Sequence, residues 1–257
     1  PNNNAITDPG ATLGRVLFYD KKLSANNTIS CASCHDQTNG FSDSNILSIG
    51  FDGGLTGRNS MGFSNATYYN NGRFFWDERA ESLEDQVLMP IQDEVEMWLT
   101  LDELVAKVGA EDYYSILFTR AFGDNTVTSN RISLALAQFI RSMVSYESKY
   151  DEGLARTGSI FDNFPNFTKE ENLGKSIFNG SFRRRGIGGN CAICHLNNDG
   201  ERISSSSNLQ NFALFTMVSS PRNNGIDPDG NVSDTGIGGA VGSSRATGAF
   251  KAPSLRN

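Results

Sequence analysis

The sequence of 257 residues is short of histidine and cysteine, with two and four, and carries a net charge of -7. An acidic chain lacks the positive surface that displaces counterions from nucleic-acid phosphates, so we expect no nucleic-acid partner. The same deficit argues against simple docking on anionic lipid. No apolar run approaches the roughly 18 residues that a membrane-spanning helix requires. Hydrophobic residues still make up 38% of the chain, which is an ordinary globular content.

All cysteines and both histidines lie in two short segments, CASCH at Cys31–His35 and CAICH at Cys191–His195. A shared zinc site is disfavoured because zinc-ribbon pairs usually lie much closer together in sequence. A thioredoxin-like redox pair is disfavoured because no βαβ pattern surrounds either segment. Structural disulfides are a third alternative. None of the three requires a histidine directly after both Cys-x-x-Cys pairs.

Covalent haem c requires that histidine, since two thiols add to the porphyrin vinyl groups and the adjacent imidazole binds the iron. We therefore predict two covalently bound haem c groups. The attachment and ligand residues are Cys31, Cys34, His35, Cys191, Cys194 and His195.

The two motifs follow similar segments, LGRVLF at Leu13–Phe18 and LGKSIF at Leu173–Phe178. Each segment ends the same number of residues before its motif. Each copy therefore reads as a short amphipathic helix, a polar loop rich in Gly and Asn, and a haem motif, which is how a cytochrome c domain begins. We interpret the pair as an internal duplication.

Helix-start signals support a helical chain. Asp8 followed by Pro9 predicts the N-cap and first turn of the first helix. Capping boxes are predicted at Thr100–Glu103 and Thr168–Glu171. A long helix is predicted after Thr128, because its apolar residues recur at helical spacing.

We predict a mainly α fold of two cytochrome c-like domains with long irregular loops. The N-terminal domain spans residues 1–155 and the C-terminal domain residues 156–257, with its last part missing from the sequence. The segment Tyr150–Thr168 reads as a linker because it contains Gly, Pro and Asn. The Ser/Gly/Asn-rich chain after Cys194 predicts loops rather than a sheet. Asp227–Asp234 does not match an EF-hand and reads as a solvated loop.

At this point the sequence resembles the bacterial di-haem cytochrome c peroxidases and their MauG-type relatives. The resemblance extends over nearly the whole chain, in the family's order. It rests on LGRVLFYDKKLSANNTISCASCH, GRN, FFWDERA, LEDQ, EVEM, ALAQFIRSMVS, the second haem motif and FKAPSLRN.

The resemblance implies specific roles. The N-terminal haem would react with peroxide and the C-terminal haem would receive electrons. Glu96 would be the distal acid/base, Gln86 the distal amide, and Trp76 the tryptophan between the haems. Asn59 would be a side-chain ligand of one calcium ion at the domain interface.

Composition alone does not make these assignments. Asp93, Glu94 and Glu96 are three acids in four residues, and any of them could lie on a solvated face. Trp76 follows Phe75 and by itself would be read as core.

The leading hypothesis is a periplasmic peroxidase, soluble or lipid-tethered, that takes electrons from a small cytochrome c or cupredoxin. One alternative is a MauG-like enzyme that oxidises residues of a partner protein. A second is a plain di-haem electron carrier, for which a distal acid would have no use. The resemblance also implies a homodimer, although no segment of the sequence identifies an interface.

The sequence departs from the family pattern in several places. Met61 stands where the family has Pro, and Glu78 and Trp98 stand where it has Gly. The loop Ser48–Gly57 contains no histidine, methionine, lysine or cysteine. We therefore expect a five-coordinate or water-bound resting iron at the first haem, and the glycines leave the loop free to be mobile without gating the site. The distal ligand of the second haem is expected beyond Asn257.

Overall fold

The computed structural model describes residues 3–69, 71–180, 191–195, 218–224 and 232–256. The described chain is mainly helical, which confirms the predicted class. Its helices are α1 (Asp8–Tyr19), α2 (Cys31–Cys34), α3 (Leu83–Gln86), α4 (Met89–Gln92), α5 (Leu101–Gly109), α6 (Asp112–Phe122), α7 (Ser129–Ser142), α8 (Lys149–Thr157), α9 (Lys169–Phe178), α10 (Ala192–His195) and α11 (Gly236–Val241). None of these helices is long and apolar enough to cross a bilayer.

One small sheet is present. Strands β1 (Val218–Arg222) and β2 (Phe250–Ala252) pair antiparallel, with Val218 opposite Ala252. The expectation of loops without a sheet after the second motif is therefore wrong for these residues. The pairing joins segments about thirty residues apart, and neither strand is long enough to show a clear alternating pattern.

Local capping explains where the helices begin. The N-cap of α1 is Thr7, whose hydroxyl accepts from the Gly10 N–H at 3.1 Å. The predicted cap, Asp8, is instead the first helical residue. The capping boxes Thr100–Glu103 and Thr168–Glu171 are confirmed at the starts of α5 and α9.

The predicted linker is wrong in its first half, because α8 occupies it. Ser148 and Asp151 form a capping box at the start of this helix. Gly158 ends it with a φ of 72°, a left-handed C-cap conformation that glycine adopts readily. The glycine thus marks the end of a helix.

The main core forms where α1 packs against α7. Phe18 and Phe139 meet edge to face, with ring centroids 5.2 Å apart. A Cβ on Gly14 would lie 2.0 Å from the Ala135 carbonyl oxygen, so glycine permits this close helix approach. The buried apolar residues of the two helices are Leu13, Leu17, Phe18, Ile132, Leu136, Phe139 and Ile140. This core supports α2, which follows α1 in the chain.

The residues after α7 form a smaller cluster. The Nζ of Lys175 on α9 donates to the carbonyl oxygens of Ile160 and Asp162, both at 2.6 Å. Arg256 forms an ion pair with Asp151 of α8, which attaches the C-terminal segment. α9 precedes α10 as α1 precedes α2. The duplication and the division at residues 155 and 156 stay predictions.

Candidate active site

The first motif forms the short helix α2, which Ser30 and Ser33 cap reciprocally. The thiols of Cys31 and Cys34 form no disulfide. Burial raises the pKa of Cys31 to about 12. No group of three or more His, Cys, Asp or Glu in the described residues is arranged to hold a metal ion. Neutral thiols one helical turn apart suit thioether attachment.

His35 follows α2 and is oriented from one side. Its Nδ1 lies 2.9 Å from the Phe41 carbonyl oxygen and its ring centroid lies 4.0 Å from that of Phe63. Burial lowers the pKa of His35 to about 4, so the ring stays neutral. Donation from Nδ1 to the carbonyl leaves Nε2 unprotonated, the form in which imidazole binds a metal.

A cavity of about 700 Å³ lies against this histidine. Its lining brings together His35, Trp76, Gln86 and Glu96. A smaller adjoining pocket is lined by Cys31, Cys34 and the same His35, Gln86 and Glu96. The volume falls in the usual range for cofactor sites, roughly 300–1,000 Å³. Two thiols, one neutral imidazole and this space fit a covalently attached haem.

Glu96 differs from the acids beside it. Asp93 and Glu94 are exposed, whereas Glu96 is half-buried; Glu96 and Asp93 both line the cavity, and Glu94 does not. Burial, followed by the charge of Asp93, raises the pKa of Glu96 to about 7. The turn is held by the Asp93 carboxylate, which accepts from the backbone N–H groups of Val95 at 2.9 Å and Glu96 at 3.1 Å. A carboxyl group with this pKa can both take up and release a proton near neutral pH.

The loop over this turn forms a hairpin that is hydrogen-bonded to the Glu96 segment. The Gly50 N–H donates to the Gly54 carbonyl at 2.7 Å, and the Phe51 N–H donates to the Glu96 carbonyl at 3.0 Å. A Cβ on Gly50 would lie 1.7 Å from the Val95 carbonyl oxygen. Gly50 therefore allows the loop to lie in close contact with the segment that carries Glu96. The five-coordinate resting iron stays a prediction.

Trp76 is held by two backbone contacts. Its indole Nε1 donates to the Asn59 carbonyl at 2.8 Å. Its own carbonyl accepts from the Lys251 N–H at 2.9 Å, so β2 reaches the cavity wall. The side chain is half-buried, and it lines the cavity instead of lying in the main core.

An ion-pair network that the sequence analysis missed supports the same wall. Arg58 donates through Nε and Nη2 to the two carboxylate oxygens of Asp234, both at 2.7 Å, and its Nη1 pairs with Asp77 at 2.7 Å. The hydrogen bonds from Arg58 hold the pKa of Asp234 below its usual range. Asp234 was expected in a solvated loop, and this pairing corrects that expectation. Only the position of Arg58 inside GRN hinted at a role.

Asn59 does not form an evident calcium site in the described part of the chain. Its amide Nδ2 donates to the Asn45 carbonyl at 2.8 Å. No cluster of acidic ligands surrounds it among those residues. The calcium assignment stays a prediction.

The second motif is described only over five residues. His195 ends α10, and its Nδ1 lies 3.3 Å from the Pro253 carbonyl oxygen. Cys191 is exposed and forms no disulfide. The side chain of Cys194 lies outside the described part. An imidazole oriented by a backbone carbonyl again fits an axial haem ligand.

Comparison with known proteins gives consistent matches. A family model described as di-haem cytochrome c peroxidase matches residues 8–158. The methylamine utilization protein MauG of Methylophilus methylotrophus is 31% identical over 195 residues, covering 76% of this chain and 54% of that protein. The cytochrome c551 peroxidase of Nitrosomonas europaea is 30% identical over 249 residues, covering 96% of this chain and 65% of that protein.

A solved structure matches as well. The crystal structure of a MauG-like protein associated with microbial copper homeostasis has a TM-score of 0.77 and 29% identity. The match covers 100% of this chain and 71% of that one. The chain spans about half the length of the two MauG relatives that it matches at 31% and 32% identity.

Proposed function

Because the chain belongs to the di-haem cytochrome c peroxidase family, we propose that it reduces hydrogen peroxide to water with electrons from a small redox protein. The observation that carries this proposal is Glu96, a half-buried acid with a pKa raised to about 7 in the same cavity as His35. A protein that only transfers electrons has no use for such a group.

The first haem would be attached to Cys31 and Cys34 with His35 as its axial ligand, and it would supply the iron at which peroxide is bound and reduced. Cys191, Cys194 and His195 would hold the second haem. The first site belongs to a domain of residues 1–155 and the second to a domain of residues 156–257. We further propose one calcium ion near Asn59, a periplasmic location and a homodimer.

Glu96 acts on peroxide as a base and then as an acid. Its carboxylate accepts the proton from one peroxide oxygen and returns it to the other, so that the departing oxygen leaves as water. General acid/base groups work best when their pKa lies near the working pH. The Gln86 amide lines the same cavity and can hold the peroxide by hydrogen bonds without titrating.

Trp76 provides the route for electrons between the two sites. Its indole is fixed by the Asn59 carbonyl and its backbone by Lys251, so the ring keeps one orientation at the cavity wall. A fixed aromatic ring needs no rearrangement when an electron passes.

A second candidate is MauG-type oxidation of residues in a partner protein. It is favoured by relatives named MauG at 31% and 32% identity. The two functions differ in what supplies the electrons, a dedicated redox protein or the oxidised residues themselves.

The experiment is a peroxide titration of the di-haem protein with a reduced monohaem cytochrome c or a cupredoxin. Peroxidase activity predicts that two donor molecules are oxidised per peroxide consumed. Peroxide consumption that leaves the donors reduced and oxidises added proteins would favour the MauG type. If no peroxide is consumed with any donor, electron transfer would be the only one of the three functions that remains.

A further inference from the structure

A buried cluster of ionisable side chains lies beside the Trp76 turn, and the proposed mechanism does not use it. Tyr69 is 4% exposed, Glu78 is 6% exposed and Lys251 is 2% exposed. They come from three parts of the chain: the end of the turn at residues 66–69, the loop that follows Trp76, and β2.

Tyr69 and Glu78 are joined by a hydrogen bond. The Tyr69 hydroxyl donates to Glu78 Oε1, and Nδ2 of Asn71 donates to the same oxygen at 3.0 Å. No lysine or arginine in the described chain forms a salt bridge with Glu78. Burial raises the pKa of Glu78. This carboxylate is therefore a better proton acceptor than a solvated one, and it is already bonded to the phenol.

Lys251 places a positive charge against the aromatic rings. Its Nζ lies 4.7 Å from the centroid of the Tyr69 ring and 5.2 Å from that of Phe74. Within the described residues this Nζ has no hydrogen-bond partner. A cation over the ring faces opposes removal of an electron from them. Only a strong oxidant could therefore oxidise Tyr69.

The cluster is close to the cavity. The Tyr69 ring meets the Phe74 ring edge to face, with centroids 6.2 Å apart. Phe74 and Lys251 line the cavity together with His35 and Trp76. One aromatic side chain thus separates the phenol from the space where peroxide would react.

We propose that Tyr69 is a redox-active residue that supplies an electron to the oxidant formed from peroxide at the cavity, while its phenolic proton moves to Glu78. This inference rests on the proposed peroxidase function, which supplies the one-electron oxidant. The O–H bond of Tyr69 breaks and an O–H bond forms at Glu78. The products are a neutral tyrosyl radical, a carboxylic acid and an oxidant reduced by one electron.

Coupling to the proton is what makes the step favourable. A phenol that lost only an electron would leave a new positive charge in a buried site beside Lys251, which is costly. Transfer of the proton to Glu78 removes that charge and neutralises the carboxylate. When the donor later returns an electron, the same proton returns along the same hydrogen bond. Tyr69 would therefore hold an oxidising equivalent until a donor binds.

The matched control is Tyr114, another buried tyrosine that donates to a carboxylate. Its hydroxyl lies 2.8 Å from Asp20 Oδ2, and it is 1% exposed. It belongs to α6 and does not line the cavity. If any buried tyrosine–carboxylate pair were oxidised, Tyr114→Phe would lower the radical signal as well.

The test is freeze-quench EPR of the di-haem protein mixed with peroxide in the absence of a donor, with peroxide consumption measured in the same samples. We expect a radical signal that narrows when the protein contains ring-deuterated tyrosine. The signal should be lost in Tyr69→Phe, retained in Tyr114→Phe and strongly reduced in Glu78→Gln. If a variant does not fold, the comparison of unlabelled and ring-deuterated wild-type protein still tests whether the radical is on a tyrosine.

Peroxide consumption with no tyrosyl signal in the wild-type protein would overturn this inference and leave the proposed function intact. A signal that persists in Tyr69→Phe would assign the radical to another tyrosine and would also overturn it. Absence of peroxide consumption would overturn both.

Discussion

The two Cys-x-x-Cys-His segments have the same pattern but different supports. The ring of His35 is oriented by the carbonyl of Phe41, six residues away, and it packs on Phe63. The ring of His195 is oriented by Pro253, which lies 58 residues away. The first histidine is therefore held by its own motif and loop. The second depends on the segment that carries β2.

The backbone shows a second difference between regions. Every non-glycine residue with a positive φ in the described chain lies before residue 99, in the loops that build the first site. These residues are Asn27, Phe41, Asn65, Phe75, Glu78 and Trp98. Strained conformations of this kind persist where surrounding contacts fix them, and they concentrate at functional sites. Among the described residues, backbone strain of this kind therefore occurs around the first site and not in the helices from α5 to α9.

The largest effect should come from Glu96→Gln, which tests whether the first site alone performs the chemistry. We expect peroxide turnover to fall by a factor on the order of 10² or more, the usual contribution of a general acid/base. Glu94→Gln is the control, because Glu94 is exposed and does not line the cavity. Steady-state kinetics with both haems attached would make the comparison.

The pH profile sharpens this prediction. The base must be ionised to accept a proton, and burial raises the pKa of Glu96 to about 7. The rate should therefore rise with pH up to about 7 and then level off, and the step should vanish in Glu96→Gln. Near-normal turnover in that variant, or an unchanged pH profile, would show that a group other than Glu96 acts as the base.

Gly50→Ala should have the next largest effect. Its Cβ would meet the Val95 carbonyl oxygen at 1.7 Å, so the segment that carries Glu96 must shift. A displacement of about 1 Å can lower a rate by up to 10²-fold, and we expect a loss of about tenfold or more in kcat. At the control, Gly109→Ala, a Cβ would meet nothing within 4 Å, and this exposed residue of α5 does not line the cavity. Equal rates in the two variants would show that the hairpin does not position Glu96.

Trp76→Phe addresses the link between the two regions. The change removes the bond from Nε1 to the Asn59 carbonyl, so stability should fall by about 1 kcal/mol. Electron transfer between the haems should slow, while the first reaction with peroxide stays fast. Stopped-flow spectroscopy separates these phases. An unchanged rate of internal transfer would leave Trp76 with a packing role.

The smallest effect concerns backbone strain at Trp98. Its φ is 53°, and its side chain is 57% exposed. Trp98→Gly and Trp98→Ala delete the same contacts with Phe51, but only glycine adopts this conformation without a steric cost. Trp98→Gly should therefore be more stable than Trp98→Ala by about 1 kcal/mol. Thermal unfolding curves would decide, and equal midpoints would contradict a strain of this size.

Much of the first region followed from sequence. The two motifs, the helical class and the capping boxes could be predicted because their signals are local. Glu96, Gln86 and Trp76 came from family resemblance, and the structure brings them to one cavity with His35. The positive φ values at Glu78 and Trp98 also fit the positions where the family has glycine.

The parts that could not be predicted depend on contacts between distant residues. Asp234 carries no periodic signal and acquires its role only by pairing with Arg58, 176 residues away. Lys251 reaches Trp76 through a backbone bond that any residue except proline could make. Helix α8 was missed because its glycines resembled those of a linker, although Gly158 is a C-cap.

The Arg58–Asp234 pair also has a consequence for the order in which the protein assembles. Residues that are 176 positions apart meet late, because closing so large a loop costs entropy before any contact compensates for it. The residues of the α1–α7 core and of the His35 loop all precede Asp234 in the chain, and their contacts do not require it. The cavity wall that carries Trp76 can form only after the C-terminal segment has docked, because Asp234 and Lys251 belong to that segment. A folding chain would therefore have its first imidazole in position before Trp76 is supported, and docking of the segment that carries Asp234 would complete this wall of the cavity.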